Sequence, residues 1–133
     1  MAAQDEDGTY AAALAELRAG RKRTHWMWFV FPQLAGLGHS PTARFYAIAD
    51  LDEARAYLAH PVLGPRLREC AAAVADLAEP DPVRVLGQVD ALKLRSSMTL
   101  FAAADPDEPL FGRVLATCYA GEPDAATLAL LPK

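Results

Sequence analysis

Proline and glycine interrupt this sequence so often that it must fold in short pieces: ten prolines and eight glycines fall within 133 residues. Proline lacks a backbone N–H and glycine tolerates left-handed conformations, so each tends to end a helix or open a turn. The stretches between them read as short helices with their own start and stop signals. Thr9 is placed to cap "YAAALAELRAG", where Tyr10, Leu14 and Leu17 form an apolar stripe and Gly20 ends the segment. Thr24 can cap "HWMWFVF", which must end or bend at Pro32. Ser40 followed by Pro41 starts another short helix or turn after the loop "AGLGHSP". Asp50 and Glu53 stand at capping-box spacing before "LDEARAYLAH". Pro61 opens "PVLGPRLRECAAAVADLAEP", whose buried face is assigned to Val62, Leu63, Leu67, Cys70 and Val74, with Pro65 near the first turn. The breaker "EPDP" precedes the segment holding "LKLRSSMTLF", and two last helices follow, one closed by Gly121 and one capped by Asp124. Many capped segments and few hairpin signals predict an all-α or mostly α fold, a compact bundle of short helices forming one domain over residues 1–133.

Composition narrows the functional classes. Apolar residues make up 53% of the chain, enough for a core without metal or disulfide support. Spanning a bilayer needs roughly 18–20 consecutive apolar residues, and no run approaches that. The opening "MAAQDEDGTY" is polar and acidic, unlike a secretory signal, so a cytoplasmic protein is expected. In that compartment Cys70 and Cys118 are expected as free thiols, and no Cys/His spacing suits a metal. A net charge of −4 disfavours nucleic acid and anionic membrane as partners, and "RKR" at 21–23 reads as a solvated helix corner. No glycine-rich phosphate loop or Gly-x-Ser-x-Gly turn is present, and no cofactor is expected.

Two stretches could carry chemistry. In "HWMWFVFPQ" the apolar side chains surround the helix axis, as in a buried helix, and His25 and Gln33 flank them. On the structural reading the indoles fill volume and His25 meets a backbone group. On the functional reading Trp26 and Trp28 line a pocket, Gln33 adds a hydrogen bond, and His25 is the best candidate for an acid/base. In "LKLRSSMTLF" the apolar period fits either helix or strand, and helical neighbours favour helix. Lys93, Arg95, Ser96, Ser97 and Thr99 are set among core-forming side chains there. Two cations and three hydroxyls suit a phosphate or carboxylate, and equally a salt-bridge cluster with nearby acids. His60 is placed to cap the long helix after it, and Ser40 beside His39 is explained as a cap.

The strings "ELRAGRKRTHWMWFVFPQLAGLGHSPTARFYAIADLDEARAYLAHPVLGPRLREC", "LKLRSSMTLF" and "GEPDAATLALL" closely resemble the domain of unknown function 1810 family over about residues 10–131. The resemblance implies a mostly helical, single-domain cytoplasmic protein. It implies no established activity, so it transfers no catalytic residue. Some bacterial members carry the label "calpastatin". That inhibitor is a disordered repeat protein, whereas this chain is rich in core-forming residues and has no repeats. Family members begin with a longer helical lead, so the resemblance implies that part of the first helix is missing here or that the start is misassigned, and it leaves the completeness of the N-terminus open.

The resulting expectation is a polar cleft in which the aromatic segment faces the Lys93–Thr99 segment and holds an anionic, nucleotide-like small molecule. The alternative is a non-catalytic helical interaction or dimerisation module. Monomer and homodimer both remain open.

Overall fold

The structure, a computed structural model, describes residues 9–20, 31–32, 48–77 and 81–131. These residues form seven α-helices: α1 (Thr9–Arg18), α2 (Leu51–Ala59), α3 (Leu63–Ala75), α4 (Pro82–Leu86), α5 (Gln88–Ala104), α6 (Pro109–Tyr119) and α7 (Ala125–Leu130). The mostly α expectation holds.

Local chemistry sets most boundaries. α1 ends at Gly20, whose φ of 77° is the left-handed conformation that glycine adopts at least cost. Asp50 caps α2 by accepting from the Glu53 N–H at 2.8 Å. His60 ends α2 and begins α3: its Nδ1 accepts from the Val62 and Leu63 N–H groups, each at 3.1 Å. Leu67, Cys70 and Val74 are buried along α3 as the spacing predicts, with Gly64 and Ala71, while Val62 and Leu63 are half-buried. The breaker before α4 conceals a short helix: Asp81 accepts from the Val83 N–H at 3.0 Å and Pro82 takes the first turn. This is the cap-then-proline signal read at Ser40, and its five residues were too few for periodicity to mark. Gly87, at φ 89°, turns the chain from α4 into α5. α6 ends differently from expectation, because Ala120 rather than Gly121 is the first left-handed residue (φ 55°). Gly121 also has positive φ, and its N–H donates to the Leu115 carbonyl at 2.9 Å.

α5 is the central element and packs against α2, α4, α6 and α7. α3 packs on α1, α2 and α6. Residues 96–101 of α5 are buried in every direction around the axis, so the segment is helix and lies in the interior rather than on one face of it. Phe101 sits at the centre, with ring centroids 5.5 Å from Tyr57 and 5.9 Å from Phe111. Leu17, Leu67, Leu94, Met98, Leu100 and Val114 are fully buried with it. Burying side chains of this size contributes roughly 1.5–3 kcal/mol each. Cys70 is buried and Cys118 half-buried, both as free thiols. No helix among the described residues is long and apolar enough to cross a membrane.

Candidate functional site

His25, Trp26, Trp28 and Gln33 lie outside the described residues. The five polar residues of α5 are described, and helical geometry distributes them around the axis. At about 100° per residue, Lys93 and Ser97 share one side while Arg95, Ser96 and Thr99 share another. Lys93 pairs with Asp90 one turn back, Nζ to Oδ1 3.5 Å. Ser97 is fully buried, and its Oγ has no hydrogen-bond partner.

The other three face the turn between α6 and α7. Arg95 donates through Nε to the Glu122 carbonyl at 3.0 Å, and its terminal nitrogen lies 3.4 Å from the Glu122 carboxylate. The same guanidinium stands 5.7 Å from the centre of the Tyr119 ring. Ser96 Oγ is 2.9 Å from Thr127 Oγ1 and 3.4 Å from Asp124 Oδ2. Thr99 Oγ1 donates to the Arg95 carbonyl and accepts from the Asp124 N–H, both at 2.8 Å. Asp124 caps α7 by accepting from the Thr127 N–H at 2.9 Å and from its hydroxyl at 2.6 Å. Ser96 and Thr99 therefore dock α7 onto α5. Lys93 and Arg95 are both partly exposed, and Arg95 lines a cleft.

The cleft measures ≈ 370 Å³ and lies between α4, α5 and α6. α4 and its cap supply Asp81, Pro82 and Val83; α5 supplies Gln88, Ala91, Leu92 and Arg95; α6 supplies Cys118 and Tyr119. Val83 and Leu92 are 48% and 58% exposed, unusually open for large apolar side chains. The Tyr119 hydroxyl donates to the Ala91 carbonyl at 2.5 Å, so its ring forms a fixed wall. Burial pushes the Tyr119 phenol well above its ordinary range, and the neighbouring Cys118 adds to the shift. Burial likewise pushes the Cys118 thiol up. Both groups are protonated at neutral pH, which suits a binding wall better than a nucleophile. Among the described residues no His, Cys, Asp and Glu side chains gather as a metal site. Sequence reasoning found Arg95 and missed the rest of the lining. An exposed Leu and a Pro-Val pair carry no chemical signature, and only the packing of α4 beside α5 gives them a common cleft.

Fold and cleft describe a small helical protein with a partly apolar hollow whose lining carries one cation, Arg95, and one acid, Asp81. The chain belongs to the family described as "Protein of unknown function (DUF1810)", whose model matches residues 1–131. It is similar to the conserved hypothetical protein Rv1873 from Mycobacterium tuberculosis, whose crystal structure was determined at 1.38 Å: 52% identity, TM-score 0.93, covering 97% of this chain and 91% of that one. No curated protein matches the sequence.

Proposed function

We propose that this protein binds a small organic anion in the cleft between α4, α5 and α6. The ligand's apolar or planar body, a nucleotide base or aromatic ring, rests against Pro82, Val83, Leu92 and Tyr119. Its carboxylate or phosphate meets Arg95. One observation carries this reading: Arg95 borders a hollow of ≈ 370 Å³ and is only loosely neutralised. Its Nε is fixed by a backbone carbonyl, while the carboxylate of Glu122, 78% exposed, stands 3.4 Å from the terminal nitrogen. An exposed pair of that kind is worth about 0–1 kcal/mol, so a ligand acid can displace it at little cost. The volume falls within the roughly 300–1,000 Å³ of small-molecule sites. Both protonated side chains of the wall, Cys118 and Tyr119, favour binding over catalysis.

A thermal-shift panel of aromatic carboxylates and mononucleotides tests this on the full chain. A ligand at a hundredfold excess over Kd stabilises by about 2.7 kcal/mol, several degrees in Tm for a chain this size. Arg95→Gln is expected to weaken such a ligand at least tenfold. Leu92→Glu places a charge in the cleft at an exposed position, so it is expected to abolish binding without lowering the unliganded Tm. A ligand that stabilises all three proteins equally would remove the cleft from consideration.

A second reading, a homodimer, is favoured by Leu128 and Leu130, two large apolar side chains exposed on α7. Light scattering after chromatography tests it, and a monomer at high concentration would end it.

A further inference from the structure

We infer that a second, smaller cleft, at the C-terminal ends of α2 and α5, holds a small zwitterion of the amino-acid type, its carboxylate on Arg55 and Arg68 and its ammonium on Asp105. This site is separate from the Arg95 cleft and does not depend on it.

The hollow measures ≈ 200 Å³ and is lined by Arg55, Leu58, Ala59, Arg68, Ala104 and Asp105. Arg68 reaches it from α3, donating to the Leu58 carbonyl at 3.2 Å. Gly64 makes room for that reach. A Cβ there would stand 2.9 Å from the Leu58 carbonyl carbon and 3.1 Å from the Arg68 guanidinium. Arg55 comes from α2, donating through Nε to the Ala104 carbonyl at 3.2 Å. Each guanidinium is thus oriented by one carbonyl and keeps further N–H donors. Arg55 has one ion-pair partner, Asp52 at 3.2 Å, and that carboxylate is 92% exposed. Among the described residues neither Arg68 nor Asp105 forms an ion pair, although both are half-buried and border the same hollow.

Arg68 and Asp105, half-buried charges of opposite sign without an ion pair among the described residues, are a costly arrangement that a guest can relieve. A simple anion meets the arginines but is opposed by Asp105 and by the negative ends of the α2 and α5 dipoles. An amine meets those and is opposed by the arginines. A molecule carrying both charges a few bonds apart meets all of them. The volume lies below the range of about 300 Å³ and upward typical of drug-sized ligands, which selects a guest as small as glycine or alanine over a nucleotide.

The test follows the Arg Nε–Hε signals of the full-length protein by nitrogen-15 NMR during titration with glycine, acetate, methylamine and inorganic phosphate. Glycine is expected to shift two of these signals saturably, at concentrations at least tenfold below acetate or methylamine. Asp105→Asn, whose parent side chain makes no hydrogen bond among the described residues, is expected to weaken glycine and strengthen acetate, so that glycine's advantage over acetate is lost. Arg68→Gln is expected to remove both. Should that variant fail to fold, the Asp105→Asn comparison decides alone. Acetate or phosphate binding as tightly as glycine overturns the proposal in favour of a plain oxyanion site. No saturable shift overturns it too, leaving the arginines as caps of two helix ends.

Discussion

Ser97 and Gly64 are the two positions where a single side chain most clearly opposes or permits the packing. The Ser97 hydroxyl is fully buried with no partner, so its water was lost without replacement. Ser97→Ala is expected to raise stability by about 1 kcal/mol in a urea titration, since it removes the orphan group and suits a helix better. Gly64 is the opposite case. Any Cβ would collide with the backbone of Leu58, which cannot yield as a flexible side chain would. Gly64→Ala is expected to cost about 3 kcal/mol and to lower Tm by ten degrees or so. The sequence indicated neither effect. Ser97 looked like a ligand donor because nothing local reveals which face of a buried helix is fully enclosed. Gly64 carried no signal in the sequence because its constraint comes from another helix.

At the scale of elements, the short helix α7 shows how a cap becomes a joint. Asp124 reads from sequence as an N-cap, and it is one. Its carboxylate also lies 3.4 Å from Ser96 Oγ, and its N–H donates to Thr99, both on α5. Asp124→Ala is expected to cost about 1–2 kcal/mol, the upper part of the range for lost caps. Hydrogen exchange should then show the α7 amides losing protection while those of α5 keep theirs. Equal loss in both helices would mean that the joint is not local. The start signals of α2, α3 and α7 and the stop of α1 were legible because they depend on near neighbours in the chain. The five-residue α4 went unread, since one turn offers no period, and with it went one wall of the Arg95 cleft.

For the whole molecule, the buried thiol of Cys70 couples the α1–α3 contact to pH. Burial, and then the Glu69 carboxylate, push it from an ordinary value of 9.0 up to about 12. The unfolded chain therefore releases this proton near its ordinary value while the folded chain still holds it. Stability is unaffected well below that pH and falls as pH rises through the interval up to about 12. The slope from this one group approaches ~1.4 kcal/mol per pH unit. Tyr10 and Tyr119, both pushed up chiefly by burial, act in the same direction. Urea midpoints measured from pH 8 to 11 should fall steadily, and Cys70→Ala should flatten the fall even if it lowers the midpoint at pH 8. An unchanged slope in that variant would assign the effect to the tyrosines.

The amino-acid order alone determined the helical class, most helix boundaries and the family, since caps, breakers and apolar spacing act within a few residues of chain. It also picked out Arg95 as a cation in a segment built for burial. Tertiary structure alone decided what became of each polar group on α5: Lys93 beside Asp90, Ser96 and Thr99 joined to α7, Ser97 enclosed, Arg95 at a cleft edge. It alone brought Arg55, Arg68 and Asp105, from three separate parts of the chain, to one hollow. The reason is range: hydrogen bonds of the backbone are settled by neighbours in sequence, whereas the partner of a side-chain charge is whatever the packed helices bring beside it.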